Sequence, residues 1–69
     1  MTNAEKISKF EALVLDTRGL KFNLRFSELR AFAFALGAHV SFDSDSFSLW
    51  NNCSPSAKLL VTVTVPVGN

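Results

Sequence analysis

Few residues in this chain have types and spacings that invite chemistry. His39 and Cys53 are its one imidazole and its one thiol. A nucleophile–base pair would need them within hydrogen-bond reach, with a carboxylate behind the imidazole, and nothing in the sequence places them together. A structural zinc site needs a closed set of Cys and His ligands, which one of each cannot supply, so no metal site is expected. Asp43-x-Asp45 has the carboxylate spacing of the first and third places of a calcium-binding loop. The fifth, sixth and twelfth places then fall on Phe47, Ser48 and Ser54, where an oxygen ligand, a glycine and a glutamate are needed. Gly19, Gly37 and Gly68 stand too far apart for a phosphate-cradling loop. A glycosidase-type pair needs two inward-facing acids, and every acid of this chain falls at a position read as exposed. The sequence therefore argues against an enzyme and implies no cofactor.

Other groupings point to binding. Lys21, Asn23 and Arg25 alternate with apolar residues, and Arg18 lies just upstream. Arg and Asn on one face of a β-ribbon can enter a major groove, where Arg reads guanine and Asn reads adenine. The same pattern also suits a solvated edge strand, where cations discourage aggregation. A second grouping is aromatic: seven Phe and one Trp are many for a chain of 69 residues with no ligand cavity to line. Phe34 falls off the apolar stripe of its helix, and Trp50 falls on the hairpin face opposite Phe47 and Leu49. Exposed aromatics of this kind anchor protein partners. A third is the turn Asp43-Ser44-Asp45-Ser46, where Asp43 and Asp45 either engage a basic groove on a partner or form a solvated hairpin tip.

These groups must be positioned by short elements. Residues 20–26, Leu-Lys-Phe-Asn-Leu-Arg-Phe, alternate without a break and are expected as a strand with Leu20, Phe22, Leu24 and Phe26 inward. Ser27 is an N-cap candidate with Glu28 at the positive end of the helix dipole, and Gly37 supplies a C-terminal stop. The spacing thus predicts a central helix over 27–37, with Leu29, Phe32, Ala33 and Leu36 on its core stripe. Residues 39–50 read as a hairpin and 58–65 as a strand with Leu59, Val61, Val63 and Val65 on one face and Leu60, Thr62 and Thr64 on the other. Pro55 marks a loop, and Pro66 a frayed or edge strand. Residues 3–15 stay open between two readings. As a helix they would have Asn3 as cap, Glu5 and Lys9 as a pair four apart, and Ile7, Phe10, Leu13 and Val14 on one face. As a strand they would run through the Asp16-Thr17-Arg18-Gly19 turn into the next. The expected class is α+β: a small antiparallel-rich sheet of four or five strands packed with one central helix, and a short N-terminal helix under the first reading.

The strand leading into a capped helix is loosely similar to the first half of ribbon-helix-helix repressors over about 17 residues. That likeness implies a dimeric, ribbon-type nucleic-acid binder using Arg18, Lys21, Asn23 and Arg25. The chain departs from the family after Gly37, where a second long helix is required and strands are expected.

Composition sets the bounds. With 69 residues the chain is expected to be one domain, 1–69, and a chain so short buries only about 60% of its unfolded surface. The 48% hydrophobic share is more than one helix and a thin sheet need, so a homodimer or another protein partner is expected to cover part of it. Charge is uneven. Residues 1–30 carry six cations and four anions, net +2, and residues 31–69 carry one cation and two anions, net −1. No N-terminal apolar stretch follows a basic start and no run is long enough to span a membrane. With a lone thiol, this points to the cytoplasm. In length and in lack of chemistry the chain looks similar to accessory proteins of phages and mobile elements that block host machinery. A non-enzymatic protein–protein interaction module, an inhibitor or adaptor anchored by Phe34 and Trp50, is the leading expectation; a small nucleic-acid-binding protein is the alternative.

Overall fold

The computed structural model describes residues 1–65, so the expectations attached to Pro66 and Gly68 lie outside the described residues. Two helices come first and three strands follow: α1 (Asn3–Asp16), α2 (Phe22–Ala35), β1 (His39–Asp43), β2 (Ser46–Trp50) and β3 (Leu59–Thr64). The strands form an antiparallel sheet in the order β1-β2-β3. The class is α+β, but the sheet has three strands rather than four or five, and two full helices replace the single central one.

The largest correction concerns residues 20–26, which form no strand. Helix α2 starts at Phe22 and runs through Ser27, the expected cap, without interruption. Seven alternating residues are too few to separate two periods. Phe22, Phe26, Leu29 and Ala33 are spaced four, three and four apart, which is one helical face. No Gly or Pro interrupts Phe22–Ala35, and Leu, Arg, Glu and Ala favour helix, so the longer period wins. Leu29 and Ala33 are buried on this face, and Phe22 and Phe26 stack at 5.8 Å.

Both helix ends of the preceding segment explain why 3–15 is helical. Thr2, one residue before the expected Asn3, is the N-cap of α1. Its hydroxyl accepts the Glu5 N–H at 3.1 Å while the Glu5 carboxylate accepts the Thr2 N–H at 3.1 Å, a reciprocal capping box. At the other end Thr17 is the C-cap, and the Asp16–Gly19 turn joins two helices rather than two strands. Helix α2 stops where Gly37 was expected to stop it. Gly37 adopts φ 71°, its N–H donates to the Phe34 carbonyl at 3.1 Å, and the Ala38 N–H reaches back to the Ala33 carbonyl at 2.8 Å. This is the Schellman arrangement, which requires a left-handed residue and favours glycine.

The 39–50 hairpin forms with Asp43 paired to Ser46, and Ser44 takes φ 56° in the two-residue turn, as such turns require at their first central place. In β3 the pairing slips between Leu49 and Trp50, so that Trp50 faces Leu59 while Leu49 faces Val61. The bulge places Leu60 between those partners. Leu60 therefore packs toward the core with Val61, Val63 and Val65, and Leu59, expected on one face with those valines, is exposed. Helix α2 packs on β1 and α1 on β3. Between helices and sheet lie Phe10, Val14, Leu29, Ala33, Ala38, Val40, Phe47 and Leu49, all buried. Among the described residues no helix covers the other face of the sheet, and it carries Ser41, Ser48 and Thr62 in one row.

Candidate protein-interaction surface

The basic quartet is dispersed once 22–35 is helical. Side chains two apart on a helix point about 200° from each other, so Asn23 and Arg25 cannot share a face. Lys21 is the N-cap of α2. Arg18, in the interhelical turn, and Arg25 border one depression beside Val63 and Val65. The ribbon that the nucleic-acid alternative requires is absent from the described residues.

Arg25 has a structural task instead. One of its terminal nitrogens donates to the Val14 carbonyl at 2.6 Å, and Nε donates to the Thr17 hydroxyl at 3.3 Å. The guanidinium also lies 5.2 Å from the Phe47 ring centroid. Helix α1 has no basic residue in its last turn, and its final carbonyls have no intrahelical donors. Arg25 supplies a donor and a positive charge to that end from the neighbouring helix. Thr17, only 4% exposed, completes the arrangement by donating from its hydroxyl to the Leu13 carbonyl at 2.8 Å. Burial lowers the Arg25 pKa from its ordinary value, yet arginine remains charged throughout the physiological range.

The expected partner residues also separate. Phe34 is 85% exposed on α2. Trp50 lies on the uncovered sheet face, half-buried, with its indole N–H donated to the Ser41 hydroxyl at 3.0 Å. Asp43 closes the hairpin turn and Asp45 lies within it, both exposed, and the Asp45 carbonyl accepts the Val65 N–H at 2.6 Å. The structure does not bring these four together.

What it does assemble is a flank around Phe34. Ser27, Arg30 and Phe34 recur at spacings of three and four, on the side of α2 turned away from Arg25 and hence from α1. Below them lies the start of β1, so that Ser27, Arg30, Ala31 and Phe34 share a shallow depression with Ala38, His39, Val40 and Cys53. His39 and Cys53 also border the adjoining depression that holds Ser41 and Trp50. Strand β1 is an edge of the sheet, so among the described residues one side of it has no strand partner. Near the far end of β1, Phe42 meets Phe22 at 4.8 Å and Phe47 at 4.9 Å, and Phe22 remains 52% exposed. An exposed phenylalanine, a half-exposed aromatic cluster and the edge strand of the sheet therefore lie along one side of the molecule.

Comparison with protein-family models, with curated proteins and with solved structures gives no match. The surface must be read from its own chemistry.

That chemistry is poor in reactive groups. Among the described residues no cluster of three His, Cys, Asp or Glu side chains could hold a metal ion. His39 and Cys53 share a corner that the sequence did not place together, but the Cys53 thiol is directed at the Ala38 carbonyl, 3.7 Å away. Among the described residues no helix is long and apolar enough to cross a membrane. The sequence singled out Phe34 but missed Ser27 and Arg30 as its companions. Their spacing was visible inside the expected 27–37 helix; the edge position of β1 was not, because strand order is a non-local property.

Proposed function

We propose that this chain is a non-catalytic protein-interaction module, acting sterically as an inhibitor or adaptor in the cytoplasm, where Cys53 stays a thiol. The observation that carries this reading is Phe34, 85% exposed beside the edge strand of the sheet. A large aromatic held out from a helix gives nothing to the core, and anchors of this type dominate the energetics of protein interfaces. The surrounding groups suit a partner better than a small ligand, since the depression is shallow and is bounded by a helix flank and a strand edge. Arg30 sits 5.8 Å from the Phe26 ring centroid, a pose that holds a cation at the rim of the anchor.

The test replaces Phe34 by the photo-reactive p-benzoylphenylalanine in the native host. Irradiation is expected to give discrete protein adducts that are suppressed by excess unlabelled protein and not by the Phe34→Ser variant. Absence of any protein adduct, with the chain folded, overturns the reading.

A further inference from the structure

The surface around Phe34 is apolar and carries no negative charge of its own. We propose that its occupant is an acidic segment of a partner protein, with carboxylates held at Arg30 and His39 and bulky apolar side chains seated against Phe34 and Trp50. The proposal rests on the interaction-module reading and states the chemistry of the partner. The depression beside Phe34 and the one beside Trp50 adjoin at His39 and Cys53, so an extended segment can occupy both. Between them they offer the Phe34 and Trp50 rings, the Arg30 guanidinium and the His39 imidazole, and no carboxylate.

The acids of the chain are placed elsewhere. Glu5, Glu11 and Asp16 belong to α1. Glu28 is two residues from Arg30 on α2, and hence about 200° round the helix. Asp43 and Asp45 lie at the hairpin turn, at the opposite end of β1 from His39. Arg30 rests 5.8 Å from the Phe26 ring centroid. An arginine over an aromatic ring retains its in-plane N–H fork, which engages a carboxylate bidentately. His39 adds a ring donor in either neutral tautomer. Complementary charge of this kind fixes register and excludes wrong partners.

The apolar half of the recognition comes from small residues. Ser27, Ala31 and Ala38 leave a recess beside Phe34 whose floor is the buried Val40. Because Val40 is covered, the segment binds by inserting side chains over this edge and not by extending the sheet. A nucleic acid is the other polyanion whose bases could stack on Phe34 and Trp50. Its backbone needs several cations in a row, whereas Arg18 and Arg25 border a different depression and Lys21 caps α2. Two aromatic anchors with one guanidinium between them suit a peptide better.

The experiment pans random linear peptides, displayed on phage, against the immobilised full chain. Enriched sequences are expected to carry Asp or Glu beside bulky apolar residues. The strongest of them, made synthetically, is then titrated into the chain and its variants. Phe34→Ser and Arg30→Glu change exposed side chains, and each is expected to weaken binding about tenfold or more. A peptide with Lys in place of its acids should bind the Arg30→Glu chain better than the native one. Lys9→Glu, the same charge change on α1, should leave the affinity within about twofold, which separates a local contact from net charge. Trp50 is the one tryptophan, and its emission should shift on binding. Circular dichroism confirms that each variant folds. Neutral or basic enriched peptides, an affinity unmoved by Arg30→Glu, or unchanged Trp50 emission overturns the proposal. So does retention of a single-stranded oligonucleotide at low salt that Phe34→Ser abolishes. If position 34 still captures a protein through a segment without acids, the interaction module stands and only the acidic partner fails. Panning that enriches nothing, with no adduct at position 34, overturns both.

Discussion

Arg25 offers the sharpest test of how this fold holds together, because one substitution separates a structural role from a nucleic-acid-binding one. Arg25→Ala removes the donor to the Val14 carbonyl at 2.6 Å, the weaker one to Thr17 at 3.3 Å and the charge over Phe47 at 5.2 Å. A hydrogen bond to a charged group is worth about 1.5–3 kcal/mol, and an exposed cation–π contact about 0.5–1 kcal/mol. The side chain is only partly buried, so water can reach the vacated carbonyl and the lower half of that range applies. The expected loss is about 2 kcal/mol, a large share of the ~3–10 kcal/mol available to a domain of this length. At ~4–8 °C for each kcal/mol in a domain of this size, the melting temperature should fall by about 8–16 °C. Arg25→Met keeps the aliphatic stem over Phe47 and should recover only the packing part. Arg25→Lys keeps a charge but loses the fork and should fall between. Thermal and urea unfolding by circular dichroism measure all three. A change of less than about 0.5 kcal/mol for Arg25→Ala, near the size of ordinary surface substitutions, refutes the cross-helix cap. If stability held while nucleic-acid retention at low salt fell, Arg25 would be a contact residue and the ribbon alternative would regain its basis.

Further expectations test the two helix ends. Gly37→Ala should destabilise by about 1–2 kcal/mol, the cost of a left-handed conformation for an L-residue. Nothing lies within 4 Å of the added Cβ, so the backbone at φ 71° is the whole cause. Gly19→Ala, equally open and without a positive φ, should be neutral or stabilising by up to about 1 kcal/mol, and equal melting temperatures for the two variants would refute the distinction. The Thr2 backbone N–H, and then the Thr2 hydroxyl, hold the Glu5 carboxyl below its ordinary pKa. A lowered folded-state value means that the capping contribution is present above the ordinary carboxylate range and fades as pH falls through the lowered one. Amide exchange in the first turn of α1 should therefore stay slow down to that range and quicken below it. The same acid response in Glu5→Gln would show that the carboxylate is not its source.

How much of this was legible follows from the range of each signal. Gly37 as a helix stop and the 39–50 hairpin depend on a few neighbouring residues, and both could be read. The assignment of 20–26 could not, because Leu20, Phe22, Leu24 and Phe26 satisfy a period of two as well as the fragment of a helical period does. The deciding residues, Leu29 and Ala33, lie outside the alternating run. The same ambiguity hid the role of Arg25: on a strand it faces water with Lys21 and Asn23, and on a helix it turns to α1. Its acceptor, the Val14 carbonyl, is eleven residues away in sequence and carries no side-chain signature. The β3 bulge is of the same kind, since Leu59 and Leu60 are chemically alike and only pairing with β2 decides which one points inward.

The dispersal of the cations also bears on function. A partner rich in phosphate would need several Lys and Arg on one surface, and the most promising run of them is divided between a cap at Lys21, a partly buried fork at Arg25 and the turn at Arg18. The apolar excess moves the other way. Phe10, Phe47, Leu29 and Leu49 are fully buried in the core, while Phe34 is left on the surface with no internal task and Phe22 is only half covered. Arginine is drawn inward and phenylalanine held outward, the reverse of what solubility alone would favour. Leaving a phenylalanine in water forgoes about 1.5–3 kcal/mol of burial, a sizeable sum for a domain this small. Burial against another protein surface along the β1 side would recover that contribution.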